Sequence, residues 1–407
     1  MSLHSQAAGG FAASRDGAPS CPAARPDAGA VRACRELVPL AGVPDQAWAQ
    51  LAAHAVEPNA FYLPEWARAV AAHVRRKPAV SALLVWDGPS RQRLIGMAPV
   101  ESAWQALRLP LPVLVGWEAY APLATPLLDC EACDAAAAGL LGAAAEAGAA
   151  ALMFRGLPDE GACAQALRRA AERFGAPLAM AQHDRAALDA TQDAADLLRD
   201  ALGAKKLKEL RRQRHRLADQ GAVAFAVARD PDEVVRAVDG FLSLEDSGWK
   251  GVRGTALARD ASHAAFVREA MQRLAAAGMA EVATLRRGAQ PVAAALIVRH
   301  GGRAFYFKIA HDETAARLSP GVQLTLDVTQ HLCADPGIAD ADSIAVADHP
   351  MIDRVWRGRL GIADLLVPTG SGAAVFRAIA SVMTARHAAR DAARRLGHAV
   401  RSRSRTA

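Results

Sequence analysis

The tripeptide Ser319-Pro320-Gly321 joins an apolar and aromatic run at residues 303–310 to a helical pattern at residues 322–332. Serine is a favoured helix N-cap, proline fits the first helical turn, and glycine lets a ligand approach the backbone. A strand followed by an abruptly started helix leaves unpaired N–H groups directed at one point, which favours a phosphate or a pyrophosphate. The alternative is a plain capping sequence, because many helices begin with Ser-Pro and bind nothing.

The segment before this helix predicts a three-stranded antiparallel meander. Its apolar runs lie at residues 281–286, 290–299 and 303–310, and glycine occupies both connections between them. Glycine is the residue that tight hairpin turns favour. The polar connection at residues 311–318 is predicted to be a loop beside the phosphate point, and long loops next to a helix start are often functional.

The whole chain repeats one order of elements. Each half begins with a hairpin or a meander and continues with helix, strand, helix and strand. Beyond the meander and the Ser319 helix, we predict strands at residues 79–86, 93–102, 150–155, 177–183, 222–228, 343–347 and 363–367, and helices at residues 132–146, 160–174, 193–217, 231–245, 260–277 and 373–396. The repetition predicts an α/β fold class, with two tandem sheet-and-helix units and a C-terminal helix.

The domain organisation follows from this repetition and from a length of 407 residues, which fits two or three domains of about 150 residues each. We predict a disordered leader at residues 1–30, an N-terminal domain at residues 31–190, a second domain at residues 191–370, and a helix with a basic tail at residues 371–407. The last helix either packs on the second domain or makes a peripheral contact with an anionic membrane surface.

Charge and composition exclude several classes of protein. The formal charge of +6 lies in the tail, because residues 386–407 hold seven Arg and one Asp. The rest of the chain is near neutral and lacks the basic, motif-bearing face of a nucleic-acid-binding protein. No window of about 18 apolar residues predicts a membrane span, and no apolar run marks a signal peptide. The six cysteines form no zinc set, so we expect no metal and a cytoplasmic location.

Four segments carry a family resemblance. They are Leu244-Glu245-Asp246-Ser247-Gly248-Trp249-Lys250-Gly251 with Gly254-Thr255-Ala256, then Phe305-Tyr306-Phe307-Lys308, then His311-Asp312-Glu313 leading to Leu318-Ser319-Pro320-Gly321, and Asp348-His349-Pro350 with Trp356. Across residues 61–368, and most strongly from Lys205 onward, the chain resembles the CelD-like, cellulose-biosynthesis-type branch of the GNAT acyltransferase superfamily, which is related to the Fem-type peptidyl transferases.

The resemblance implies two tandem GNAT-like domains, with acyl-CoA, expected as acetyl-CoA, held by the second. It places the CoA pyrophosphate at the Ser319 helix and implies cofactor-binding roles for Arg317, Ser319, Gly321 and Val322. The superfamily's acyl-CoA loop reads Gln/Arg-x-x-Gly-x-Gly/Ala, and this chain keeps the Arg but shifts the glycine pattern. The first domain has no Ser-Pro-Gly equivalent, so we predict that it lacks a CoA site and helps to shape the acceptor pocket.

Acyl transfer requires an amine to attack a thioester carbonyl, and positioning supplies much of the barrier reduction, about 7 kcal/mol or more. The acceptor ammonium must lose a proton, and Glu245, Asp312 and His349 are the candidate catalytic residues. Each has a structural alternative: Glu245 could be a surface or capping group, Asp312 a turn former and His349 a packed residue.

Trp249, Lys250 and Lys308 are the candidate substrate-binding residues. A tryptophan at a helix end usually packs in a core, and a lysine after it usually reaches solvent. Lys308 lies inside an aromatic strand, where a charge is costly unless it is paired or faces a cleft. The basic run at residues 205–216 predicts either a solvated helix face or a groove for an anionic acceptor or the CoA 3′-phosphate.

The leading interpretation is a cytoplasmic N-acyltransferase that moves an acyl group from acyl-CoA to a small-molecule or saccharide amine, with no nucleic-acid partner. The family association implies an amino sugar or a polysaccharide precursor as acceptor. One alternative is a Fem-like aminoacyl transferase that uses charged tRNA, which the basic helix and tail favour. Another is a non-catalytic accessory protein of polysaccharide biosynthesis. The phosphate point at Ser319 favours acyl-CoA.

Overall fold

The structure, a computed structural model, describes residues 33–74 and 80–403. The predicted leader at residues 1–30 lies outside these residues, as do residues 404–407 of the basic tail. None of the helices in the described part of the chain combines the length and the apolarity needed to cross a bilayer.

The described residues form two compact units. The first unit contains residues 33–183 and 361–403, and the second unit contains residues 184–360. The division differs from the domain boundaries expected from the sequence, because residues 362–368 pair with residues 151–158 and so belong to the sheet of the first unit.

The helices and strands are numbered in chain order. The strands are β1 Cys34–Pro39, β2 Ser81–Trp86, β3 Leu94–Ser102, β4 Val113–Gly116, β5 Leu127–Leu128, β6 Ala151–Pro158, β7 Leu178–Asp189, β8 Val223–Ala228, β9 Ala280–Arg287, β10 Gln290–His300, β11 Arg303–His311, β12 Asp340–Asp342 and β13 Gly358–Pro368. The α-helices are α1 Asp45–Ala53, α2 Pro64–His73, α3 Ala103–Leu107, α4 Cys133–Glu146, α5 Ala162–Ala171, α6 Ala194–Ala218, α7 Pro231–Ser247, α8 Trp249–Val252, α9 Ala261–Ala276, α10 Pro320–Cys333, α11 Ile352–Val355 and α12 Ala373–Arg403. Short 3-10 helices lie at Leu40–Gly42, Ala60–Tyr62, Leu257–Arg259 and Glu313–Leu318. The predicted α/β fold class is confirmed.

In the first unit, the sheet has the strand order β1-β2-β3-β4-β6-β13, and β5 pairs with β3. The predicted hairpin is formed by β2 and β3, with Ser81 opposite Val100. The apolar face of α12 packs inside this unit through Phe376, Ile379 and Met383. The sequence-based expectation that this helix packs on the second domain is therefore wrong, because β13 returns the chain to the first sheet before α12 begins.

In the second unit, the order is β7-β12-β11-β10-β9-β8. The predicted meander is confirmed as β9, β10 and β11, with Ala295 opposite both Ala283 and Ile309. Helix α10 covers one face of this sheet. Helix α7 covers the other face, where Ala226, Thr284 and Ala294 line a groove together with residues of α7.

Two local expectations in the second unit are wrong. The strand predicted at residues 343–347 ends at Asp342 instead, because Ile344 adopts a positive φ of 52° and its N–H donates to Asp342 Oδ1 at 2.8 Å. The connection at residues 311–318 is not a loop. Asp312 accepts a hydrogen bond from the N–H of Thr314 and so caps the 3-10 helix Glu313–Leu318.

Helix α10 is held in place by a chain of buried hydrogen bonds, which we name the polar ladder: Tyr306, Thr325, Thr329 and Trp356. The hydroxyl groups of Tyr306 and Thr325 lie 3.2 Å apart, and Trp356 Nε1 donates to Thr329 Oγ1 at 2.9 Å. Each threonine hydroxyl also donates to a carbonyl one turn earlier in the helix. Apolar contacts alone allow a helix to rotate or slide, whereas these bonds fix its register against β11 and against the residue that follows α11.

Replacing Thr329 tests the ladder. Thr329→Val keeps the shape of the side chain but leaves the buried Trp356 N–H without an acceptor, so we expect a loss of about 1–3 kcal/mol in the free energy of unfolding. Thr255→Val, at an exposed position, should stay within about 0.5 kcal/mol. Denaturant unfolding measures both. Equal effects of the two substitutions would show that the ladder does not anchor α10.

Candidate functional site

Strand β11 separates from its neighbour β12 after a short contact. The two strands pair in parallel only from Arg303 to Phe305, opposite Asp340 to Asp342. Beyond that point, no strand in the described part of the chain pairs with this edge of β11. Strand β11 nevertheless continues to His311, so its second half has no described strand partner at the edge that faced β12.

A β-bulge lies at the same place. Leu296 of β10 opposes Lys308, but the next residue, Ile297, opposes Tyr306, so Phe307 is an extra residue in β11. A bulge of this kind bends the strand and interrupts its pairing. Strand β11 therefore bends close to the point where it leaves β12.

The bulge also decides which face Lys308 occupies. Leu296 and Ile297 point to opposite faces of the sheet, so their partners Lys308 and Tyr306 do as well. Tyr306 bonds to α10, and Lys308 therefore lies on the face that α7 covers. Without the extra residue, positions 306 and 308 would share one face.

Helix α10 begins where the sequence predicts, but the side chain of Ser319 does not cap it. Ser319 adopts a left-handed conformation with φ of 51°, and its side chain makes no capping hydrogen bond. Pro320 has no N–H. Among the described residues, no acceptor meets the N–H groups of Gly321 and Val322. These two N–H groups therefore lack an acceptor among the described residues, although Gly321 is buried and the predicted serine cap does not form.

The space around these amides is narrow. A Cβ atom on Gly321 would lie 3.3 Å from His311 Nδ1, tighter than an ordinary contact, so glycine suits this position. The side chain of Gln323 is buried, and its Nε2 donates to the carbonyl of Leu318 at 2.6 Å. Its Oε1 is also buried and has no partner in the part of the chain that the structure describes. Arg317 is exposed at the end of the preceding 3-10 helix.

Carboxylates occupy the starts of the other long helices of the second unit. The side chains of Asp193, Asp230 and Asp260 accept N–H groups from the first turns of α6, α7 and α9. In the first unit, Glu57 accepts the N–H of Cys163 in α5, and Asp129 accepts two N–H groups just before α4. A carboxylate in that position already satisfies the preference of a helix start for an anion, and α10 differs from α6, α7 and α9 because it has none.

The corner between α7 and α8 gathers three of the candidate residues. The carboxylate of Glu245 is buried and accepts hydrogen bonds from Lys250 Nζ at 2.7 Å and from the N–H of Leu257 at 2.8 Å. Trp249 begins α8, and its N–H donates to Glu313 Oε1 at 2.7 Å. The corner is thereby tied to the segment that directly follows β11.

The glycines of the Leu244–Gly251 segment make this corner possible. A Cβ atom at Gly248 would lie 2.8 Å from Glu313 Oε1, so a side chain there would displace the carboxylate that binds Trp249. A Cβ atom at Gly251 would lie 1.7 Å from the carbonyl oxygen of Asp246, so no side chain fits. Gly248 and Gly251 therefore allow the close contacts that bring the charged residues of the Leu244–Gly251 segment together.

Lys308 faces the charges of this corner. Burial lowers the pKa of Lys308, the positive charge of Lys250 lowers it further, and the negative charge of Glu245 opposes both effects. The Lys308 ammonium lies 5.4 Å from the centre of the Phe307 ring. Lys308 on β11 and the Glu245–Lys250 pair thus form one charged group on the α7 face, which we name the α7-face cluster.

The other candidates have separate positions. Asp312 Oδ1 accepts both the N–H and the hydroxyl of Thr314, and His349 Nδ1 accepts the N–H groups of Met351 and Ile352 at 3.3 and 3.4 Å. Both side chains therefore act as caps. Trp249 is 50% exposed, with the Arg253 guanidinium 4.9 Å from its ring centre, so it is not a core residue.

Sequence reasoning missed three features of the site: Gln323, Glu313 and the bulge at Phe307. Glu313 belongs to a quoted motif, and its position directly after Asp312 was the available signal. A buried Gln323 and a one-residue bulge have no local sequence signature. Among the described residues, no group of three or more His, Cys, Asp and Glu side chains is arranged to hold a metal ion.

Comparisons with known proteins agree with this geometry. Residues 204–348 match the family described as Acetyltransferase (GNAT) domain. The structure of FemX is similar over 82% of this chain and 97% of its own, with 12% identity and a TM-score of 0.52. The C-terminal domain (DUF2156) of a putative lysylphosphatidylglycerol synthetase from Agrobacterium fabrum is similar over 83% and 95%, with 15% identity and a TM-score of 0.51. No curated protein matches the chain in sequence.

These matches establish two points. Residues 204–348 match the model of the GNAT acetyltransferase domain, in agreement with the superfamily that the motifs predict. At 12% and 15% identity, the two solved structures show a shared fold across both units and nothing about substrates. The CelD-like branch stays a prediction.

The lowered pKa of Lys308 predicts a pH-dependent stability. Between the folded-state pKa and the ordinary value of 10.5, the unfolded chain binds more protons than the folded one, so the free energy of unfolding rises with pH. We expect the difference between the wild type and Lys308→Met to shift in favour of the wild type as the pH approaches 10.5. Denaturant unfolding of both proteins across the alkaline range measures this difference, and a constant value would contradict the prediction.

Proposed function

We propose that this chain is an N-acyltransferase that moves an acyl group, acetyl in the simplest case, from acyl-CoA to an amine. The supporting observation is the start of α10, where the N–H groups of Gly321 and Val322 have no acceptor among the described residues. This helix start follows β11, which pairs with β12 only as far as Phe305. It lies within residues 204–348, which match the GNAT domain.

The residues at this helix start fit the diphosphate part of acyl-CoA. Two free N–H groups and the positive end of the helix dipole favour an anion. The guanidinium of Arg317 adds a cation next to the left-handed Ser319, and Gly321 presents no side chain to obstruct the ligand. The buried Oε1 of Gln323 can accept a hydrogen bond from an amide of the ligand. We assign donor binding to Arg317, Ser319, Gly321 and Val322, and add Gln323.

When bound, acyl-CoA supplies an activated thioester carbonyl. The amine nitrogen forms a bond to the carbonyl carbon, the carbon–sulfur bond breaks, and the acceptor ammonium gives up a proton. The chain's main contribution is to hold both reactants together, which is worth about 7 kcal/mol or more. We assign the orientation of the donor to residues 306–311 of β11, whose edge no described strand covers.

The hydrogen bonds of the three candidate catalytic residues suggest different roles. Asp312 Oδ1 accepts the N–H of Thr314, and His349 Nδ1 accepts the N–H of Met351. These capping bonds favour structural roles for both residues. Glu245 lies on the α7 face with Lys308, and both of its oxygen atoms are engaged, by Lys250 and by Leu257. We assign to Glu245 the positioning of Lys250 on the acceptor side.

The acceptor is an amine, and the resemblance suggests an amino sugar or a polysaccharide precursor. The half-exposed ring of Trp249 offers an apolar surface next to Lys250 for such a molecule. A Fem-like transfer from charged tRNA is the second candidate. It is supported by the similarity to FemX and by the exposed cations Lys205, Lys208 and Arg212 of α6.

The substitution Gly321→Asp tests the donor site. A carboxylate in the first turn suits the helix dipole but its Cβ atom crowds His311, so we expect a moderate loss of stability, whereas acetyl-CoA should bind about 100-fold more weakly or worse, because the new charge repels its phosphates. Gly240→Asp adds the same charge in α7, where a Cβ atom meets no atom within 4 Å, and is the matched control. Calorimetric titration with acetyl-CoA compares the variants. Equal affinities in Gly321→Asp and the wild type would contradict the assignment.

Ligand-induced stabilisation separates the candidate functions. A ligand present at 100 times its dissociation constant adds about 2.7 kcal/mol to the free energy of unfolding. We expect this stabilisation with acetyl-CoA. Stabilisation by charged tRNA instead would support the Fem-like alternative, and none with either ligand would support an accessory protein without catalytic activity. Thermal unfolding with each ligand gives the result.

A further inference from the structure

Helix α12 carries arginines on the face by which it packs on the first sheet. Phe376, Ile379 and Met383 lie on that face and belong to one apolar cluster with Met153 of β6. Residues three and four apart share a helix face, and the next positions after Met383 with this spacing are Arg386 and Arg390. The packing face of α12 therefore changes from apolar to cationic within about one turn.

The sheet shows the same change beneath the helix. Side chains alternate between the two faces of a strand, so Arg155 of β6 lies on the face of Met153, towards α12. Arg155 Nη1 donates to Glu118 Oε2 at 2.7 Å, and its Nε lies 3.6 Å from Asp364 Oδ2. Asp364 Oδ1 accepts the N–H of Gly156 at 2.9 Å. These two carboxylates therefore hold Arg155 and compensate its charge.

Arg386 has no such compensation. Its Nε is buried and meets no acceptor in the part of the chain that the structure describes. Burial lowers the pKa of Arg386, and the positive charges of Arg390 and Arg155 lower it further. The buried carboxylate of Glu101 lies on β3, which β4 separates from β6, and its charge acts on Tyr62. Arg386 thus stands against two other arginines.

The chemistry of this group favours a phosphate. A partly buried cation beside like charges is costly unless an anion compensates it. The planar fork of a guanidinium matches the oxygen atoms of a phosphate group and donates two hydrogen bonds to it. Arg386 and Arg390 lie about 6 Å apart along the helix axis, so both side chains can reach one phosphate. Arg390 is exposed, which leaves the group accessible from solvent.

We propose that Arg386 and Arg390 bind a phosphate group where the apolar contact between α12 and the first sheet ends. The phosphate belongs to a soluble phosphate ester or to the headgroup of an anionic lipid. Arg155 adds a third positive charge, and Glu118 and Asp364 keep it in position. The site lies within the first unit and does not rest on the proposed acyl transfer.

Inorganic phosphate, titrated at constant ionic strength and followed by thermal unfolding, tests the site. We expect phosphate to stabilise the wild type, and Arg386→Met and Arg390→Met each to weaken its apparent affinity about tenfold or more. Arg377→Met removes an exposed arginine from another side of the same helix and should leave the affinity unchanged. Phosphate that binds at the start of α10 contributes equally to all of these proteins, so it does not affect the comparison.

Stability without phosphate separates binding from a structural role. Since Arg386 repels two arginines and has no carboxylate partner among the described residues, Arg386→Met should unfold at the same temperature as the wild type or at a higher one. A guanidinium that held the fold together would give a lower temperature. Such a decrease in phosphate-free buffer overturns the proposal, as does phosphate binding that is equally tight in the wild type and in both variants, Arg386→Met and Arg390→Met.

Vesicles distinguish the two sources of the phosphate. Sedimentation compares binding to phosphatidylcholine vesicles with and without phosphatidic acid. Binding that requires phosphatidic acid, and that Arg386→Met but not Arg377→Met weakens about tenfold, supports a lipid headgroup. Arginine-dependent binding of inorganic phosphate without vesicle binding supports a soluble phosphate ester. If neither inorganic phosphate nor the vesicles bind in a way that depends on Arg386, the site does not exist.

Discussion

The polar ladder is the constraint on which the rest of the second unit depends. Apolar contacts are non-directional, so on their own they fix the rotation of a helix about its axis less strictly than hydrogen bonds do. The bonds from Tyr306 to Thr325 and from Trp356 to Thr329 supply this stricter constraint, because breaking either one leaves a buried polar group without a partner. They hold the orientation of α10, in whose first turn the N–H groups of Gly321 and Val322 lack an acceptor among the described residues.

A single extra residue organises the other side of the site. The bulge at Phe307 places Tyr306 and Lys308 on opposite faces of β11, so one strand can support α10 on one face and the charges of the α7 corner on the other. The bulge also lies close to the end of the pairing between β11 and β12, so the bend of β11 and the change of side-chain face occur within a few residues of that end.

Carboxylates accept N–H groups at the starts of several helices in both units. In the first unit, the buried carboxylates of Asp129 and Glu57 take up N–H groups at the beginnings of α4 and α5. In the second unit, α6, α7 and α9 have aspartate caps, and α10 begins with a left-handed Ser319 and a proline. A cap supplied by the chain excludes a ligand anion from the same place. Helix α10 therefore lacks the carboxylate cap that the other long helices of the second unit have.

The sequence by itself determined the α/β class, the meander β9–β11 and the point where α10 begins, because turn glycines, apolar periodicity and Ser-Pro-Gly act within a few neighbouring residues. It also singled out Glu245 and Lys250, which are close in the chain. Only the tertiary structure decided that Ser319 is left-handed, that Asp312 and His349 are caps, and that Lys308 faces α7. These outcomes depend on strand register between distant segments, and one unpaired residue reverses the face of the side chains beyond it.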